Sequence, residues 1–190
     1  MDPDAYLCQL AEIFNGISVN TPSLSAIIAI ILAGLLLLAS GFASASEIAF
    51  FSLSPSDLND IEEGNHPSDG KISNLLADSE RLLATILITN NFVNVTIIML
   101  CNFFFMNVFV FHSPLAEFLI LTVILTFLLL LFGEIMPKIY SAQKTLAFCR
   151  FSAPVIYMLR KVFAPISAVL VHSTAFLNKH FAKKNHNISV

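Results

Sequence analysis

The chain has 190 residues, 56% of them hydrophobic and 12% charged, with a formal net charge of −3 and 18 phenylalanines but no tryptophan. Soluble domains carry about 25% charged residues, so this composition and a mean hydropathy of +0.79 put the chain among membrane proteins, with the lipid bilayer as its surroundings. The small net charge and the lack of a nucleic-acid-type basic run argue against nucleic acid as a partner, and Cys8, Cys101 and Cys149 are too scattered to form a metal site.

The N-terminus is acidic (Asp2, Asp4, Glu12) and shows no signal-peptide cleavage pattern, so residues 1–23 read as an extracytoplasmic segment ahead of a retained span. No charged residue lies between Glu12 and Glu47, and about 20 apolar residues suffice to cross the hydrocarbon core. Span one is therefore about 24–51. The polar stretch that follows contains Ser54-Pro55-Ser56-Asp57, a capping residue with Pro at the first helical position and an acid in the first turn. Gly64-Asn65-His66-Pro67 should break that helix, and a second short helix should lead to Arg81. The expectation is a cytoplasmic helical hairpin under the membrane. Span two is about 82–111. Ser113-Pro114 is another helix start, and span three is about 115–137, with Glu117 at its mouth and Glu134 near its far end. Beyond Lys138, Pro154 and Pro165 interrupt an apolar segment sprinkled with basic residues, which reads as a kinked juxtamembrane belt over 138–180. Residues 181–190 form a basic cytoplasmic tail. The fold class is an all-α membrane protein with three transmembrane helices per chain, a juxtamembrane helical hairpin and a belt.

Lys71 and Arg81 lie between spans one and two, and the other eight of the ten Lys and Arg residues follow span three. The positive-inside rule then puts the N-terminus outside and the C-terminus in the cytoplasm of a multi-pass inner-membrane protein.

Polar residues within the spans fall at helical spacing. Ser40 and Ser44 are four apart with Glu47 one turn on, and Asn90 and Asn94 are four apart, so each set shares a helix face. Glu134 sits in Phe132-Gly133-Glu134-Ile135-Met136-Pro137-Lys138, where Pro137 removes the hydrogen bond to the Gly133 carbonyl. Polar groups at membrane depth are costly and mark pathways or ion sites by default. Bland readings account for each alone: a small-residue packing seam for the serines, interhelical hydrogen bonds for the asparagines, and a Glu134–Lys138 pair at i,i+4. Together, carboxylate, amide, hydroxyl and freed carbonyl make an all-oxygen set that suits Mg²⁺ or Na⁺ and not zinc or copper. No nucleophile–base arrangement appears, and the five histidines (His66, His112, His172, His180, His186) fall in loops, belt or tail, so no enzyme is expected.

Three stretches, Ser40–Glu47, Ile86–Asn94 and Phe132–Lys138, resemble the signatures of the transmembrane module (DUF21) of the CNNM/CorC family of magnesium transporters, over about residues 20–180. The Met-Asp-Pro-Asp start is similar to the gliding-motility-associated branch in Bacteroidetes. The resemblance implies a homodimer and Mg²⁺ export coupled to Na⁺ entry. Carried onto this sequence, it implies a cation held by Ser40, Ser44, Asn90, the Gly133 backbone and Glu134, with Glu47, Asn94, Pro137 and Lys138 close by or along the pathway. Thr89 stands where the family usually has Gly. Family members continue into cytoplasmic CBS domains, which bind ATP–Mg²⁺, and a CorC/HlyC domain; no nucleotide is assigned to these residues.

The alternative is a membrane anchor or assembly factor of a secretion or gliding apparatus, with a vestigial ion site. In either case, phenylalanines of spans two and three (Phe103, Phe104, Phe105, Phe109, Phe111, Phe118, Phe127) are expected to fill a dimer seam.

Overall fold

A computed structural model describes residues 18–110 and 114–168. The acidic N-terminus with Cys8, the cap at Ser113, Phe111 and His112, the end of the belt and the basic tail lie outside the described residues. The described chain is helical apart from short connections and one two-residue antiparallel pairing, β1 (Ser18–Val19) with β2 (Phe109–Val110). Helices α1 (Leu24–Phe51), α2 (Pro55–Glu62), α3 (Asp69–Leu76) and α4 (Ser79–Val108) precede β2. Helix α5 (Pro114–Leu128) runs into a π-helical stretch, Leu129–Ile135, and then into α6 (Met136–Gln143) and α7 (Thr145–Val162).

Among the described residues, three helices are long and apolar enough to cross a membrane: Leu24–Phe51, Ser79–Val108 and Glu117–Gln143. The second starts earlier than its charge-free interval. Asp78 accepts from the Arg81 backbone N–H at 3.2 Å, a cap that lets a polar first turn belong to the helix without belonging to the span. The third runs past Pro137, which sits at the second position of α6, where a missing backbone donor is tolerated. Just before it the chain adopts the wider π turn, which re-registers a ladder that Pro137 interrupts.

The described residues fall into two compact units, 18–40 with 93–110 and 114–135, and 41–92 with 136–168. In the first unit, Ala33, Val93, Ile97, Cys101 and Leu125 form the core, with Leu37, Phe105 and Leu129 packed against it. The Ser23 hydroxyl accepts from the Ala26 N–H at 3.3 Å and caps α1, and the Asn107 carboxamide accepts from the Ser23 N–H at 3.3 Å.

The second unit contains the hairpin. At α2, Ser54 and Asp57 form a reciprocal capping box, and the Ser54 backbone N–H, followed by its hydroxyl, holds the Asp57 carboxyl below its ordinary range. Gly64, at φ +70°, turns the chain between α2 and α3 in a conformation that costs glycine nothing. Helix α7 buries Cys149, Ser152, Ala153 and Ile156, a single stripe at helical spacing. That stripe shares a core with Ile61 of α2, Ile72 and Leu75 of α3, Phe50 of α1 and Ile86 of α4. Full burial of Ile72, Leu75 and Ile156 stabilises the packing of α3 on α7 by roughly 1.5–3 kcal/mol per side chain. Arg150 of α7 adds a two-pronged bond to the fully buried Asp69 carboxylate, at 2.8 and 3.1 Å.

Candidate cation site

In the first unit, α1 ends its share at Ser40, and Val93 and Asn94 of α4 begin theirs. The buried Ser40 hydroxyl donates to the Asn94 carboxamide oxygen at 2.6 Å. The buried Gly133 lies against the same serine: a Cβ on residue 133 would sit 3.1 Å from Ser40 Oγ and 3.4 Å from Leu37 Cδ1. A side chain at 133 would crowd that hydroxyl, so close approach is what requires glycine here. Glu134, half-buried, follows Gly133 inside the π stretch. A π turn widens the helix and recurs at functional sites. The first unit therefore brings together Ser40, Asn94 and Gly133 directly, with Glu134 adjacent in the chain.

In the second unit, Ser44 is buried and its hydroxyl has no hydrogen-bonding partner. An orphaned buried hydroxyl calls for an explanation, and the capacity to bind an ion or a water is one. Most other buried hydroxyls of this unit have partners. Ser46 donates to the Phe42 carbonyl at 2.7 Å, Thr85 to Arg81 at 2.8 Å, and Thr89 to Thr85 at 2.8 Å. Thr89 thus directs its hydroxyl into its own helix. Asn90, one residue on, is half-buried.

Two contacts of this unit were not expected from the sequence. Ser141 of α6 donates to the Ala45 carbonyl of α1 at 2.6 Å. Lys138 Nζ lies 3.4 Å from Glu47 Oε2, both side chains about a quarter exposed (27% and 26%). Sequence spacing relates Lys138 to Glu134 at i,i+4, whereas the Glu47 contact joins residues 91 positions apart and leaves no local signal. Among the described residues, no three His, Cys, Asp or Glu side chains converge on one point. The cavity of about 210 Å³ in the first unit is lined by carbon-rich side chains such as Ile30, Leu37, Ile97 and Leu125 and offers no such ligand set.

Three apolar helices among the described residues, with hydroxyl, amide and carboxylate groups set within them, fit a multi-pass membrane domain. The chain belongs to the CNNM family: residues 30–190 match the Cyclin M transmembrane N-terminal domain, a family associated with transport and not with catalysis. It is also similar to the UPF0053 protein of Haemophilus influenzae, with 32% identity over 130 residues, 68% of this chain and 30% of the relative. The chain thus matches about 30% of that curated relative's length.

Proposed function

We propose that this domain carries Mg²⁺ across the membrane, as export coupled to Na⁺ entry. The supporting observation is the Gly133 backbone held against Ser40, with Ser40 bonded to Asn94 and Glu134 next in the π turn. In the second unit the orphaned Ser44 hydroxyl and the half-buried Asn90 are polar groups of the same oxygen chemistry. Mg²⁺ gives up its water reluctantly, so these oxygens must offer good geometry; Glu134, as a single carboxylate, leaves a divalent ion net positive and keeps release feasible. Asn94 takes a larger part in this reading than residue type alone assigns it. The distribution of Lys and Arg favours an outside N-terminus and an inner-membrane location. Only 17% of the apolar window of the third span is buried within the chain, and Phe118 and Phe127 are exposed on it, which favours a homodimer seated on this span.

The test is Mg²⁺ flux by the whole protein in proteoliposomes. Glu134→Gln should reduce flux by at least about tenfold, equivalent to roughly 1.4 kcal/mol, with the protein still monodisperse. Wild-type flux no faster than in empty vesicles overturns the reading and leaves the anchoring or assembly role.

A further inference from the structure

Helices α1 and α6 are pinned together by the Ser141 hydroxyl on the Ala45 carbonyl at 2.6 Å. Two residues beyond Ala45 on α1 is Glu47, and one turn before Ser141 on α6 is Lys138. The pin fixes the spacing of the two charged side chains, whose ends meet at 3.4 Å. Both are about a quarter exposed, so the pair lies at the surface of its unit and is not sealed inside it. One turn before Glu47, on the same face of α1, is Ser44 with its partnerless buried hydroxyl. A buried serine in a helix ordinarily bonds the carbonyl four residues back, as Ser46 does to Phe42. Ser44 does not, so its oxygen lone pairs are available one turn from a carboxylate that already holds a cation, the lysine ammonium.

We infer that Lys138 is a tethered counter-cation: its ammonium holds the place at Glu47 that a travelling metal cation takes, so that Lys138 sets how tightly such an ion is held beside Ser44. The inference rests on the cation-transport reading above. An ammonium and a hydrated divalent cation both satisfy a carboxylate, but only the metal also uses the neutral Ser44 oxygen. The lysine withdraws as the metal arrives and returns as it leaves, so Glu47 is never left as an unpaired charge. A purely structural staple between α1 and α6 would use the same 3.4 Å contact but would have no bearing on ion affinity.

The two roles separate in the concentration dependence of Mg²⁺ flux by the whole protein in proteoliposomes. Lys138→Met should lower the apparent KM for Mg²⁺ about tenfold without raising the maximal rate, because Glu47 loses its built-in competitor. Glu47→Gln should raise KM by a similar factor, and the double variant should stay within about threefold of Glu47→Gln, because Lys138 acts through Glu47. Lys138→Arg should keep the wild-type KM. If Lys138→Met does not fold, Glu47→Gln and Lys138→Arg still read the same balance. Wild-type flux with an unchanged or raised KM in Lys138→Met, or an unchanged KM in Glu47→Gln, overturns the tethered-cation role alone. Absence of wild-type flux overturns the transport reading, and this inference with it.

Discussion

Gly133→Ala separates the proposed cation site from the stability of the helix that carries it. The new methyl would lie 3.1 Å from Ser40 Oγ and 3.4 Å from Leu37 Cδ1, so these neighbours must retreat by a few tenths of an ångström. Overpacking by one carbon costs about 1–3 kcal/mol. Replacing Gly by Ala within a helix returns about 0.5–1 kcal/mol. The net loss is about 1 kcal/mol, which for a chain of this size lowers the thermal midpoint by about 2–4 °C. The Ser40 hydroxyl cannot retreat without disturbing its 2.6 Å bond to Asn94. Mg²⁺ demands near-ideal ligand positions at about 2.0–2.1 Å, so a small displacement matters much more to the ion than to the fold. Flux should fall by about tenfold or more. Thermal unfolding in detergent and Mg²⁺ flux in proteoliposomes give the two numbers. Wild-type flux in the alanine variant would show that the approach of residue 133 to Ser40 takes no part in transport.

Two other features lead to measurable effects. Arg150 beside Asp69, aided by the His66 backbone N–H, holds the Asp69 carboxyl below its ordinary value of 3.8, so its contribution to stability is present above that value and is lost as pH falls through the lower folded value. Asp69→Asn should therefore destabilise the protein at neutral pH by about 2 kcal/mol, below the roughly 3–5 kcal/mol of a wholly buried pair because water reaches Arg150; in denaturant titrations the gap to wild type should close below pH 3.8, and a gap independent of pH would refute the ion-pair account. Burial pushes the Cys149 thiol up to about 12, so maleimide should leave it unmodified at pH 7.5 in the folded protein and label it fully in denaturant, as read by peptide mass spectrometry; ready labelling of the folded protein would contradict the buried α7 stripe.

The three apolar helices were legible because long charge-free intervals have few other uses, and Pro55 and Pro114 mark the starts of the hairpin helix α2 and of α5. Exact ends were less so. A charge-free window cannot see that Asp78 caps a helix whose first turn is polar, nor that a proline at 137 can be accommodated when the preceding turn widens. The side-chain partners of the polar residues were harder still. Spacing identified Ser40 and Asn94 as face residues but gave no means of pairing them, since their contact joins positions 54 apart. Asp69 and Arg150, 81 apart, carried no local signal at all. Periodicity reports which face a residue is on, and only the packed helices decide what it meets there.

Residue type is a poor guide to function among the hydroxyls of this protein, and the use each makes of its oxygen is a better one. Ser46, Thr85 and Thr89 donate to carbonyls four residues back, and Ser141 ties α6 to α1 through Ala45. Such bonds satisfy buried groups and fit a packing seam. Ser40 instead donates to an amide side chain on another helix, beside a glycine that cannot be enlarged without moving it. Ser44, one turn further along α1, has no partner for its buried oxygen. A packing seam alone would favour alanine at such a position, because an unpaired buried hydroxyl costs about 1–3 kcal/mol and gives nothing back. An unsatisfied hydroxyl of this kind is what the proposed cation-transport role would use; on that proposal Ser44→Ala should raise the thermal midpoint in detergent without added Mg²⁺ and raise the KM for Mg²⁺ flux in proteoliposomes, and an unchanged KM would remove Ser44 from the proposed site.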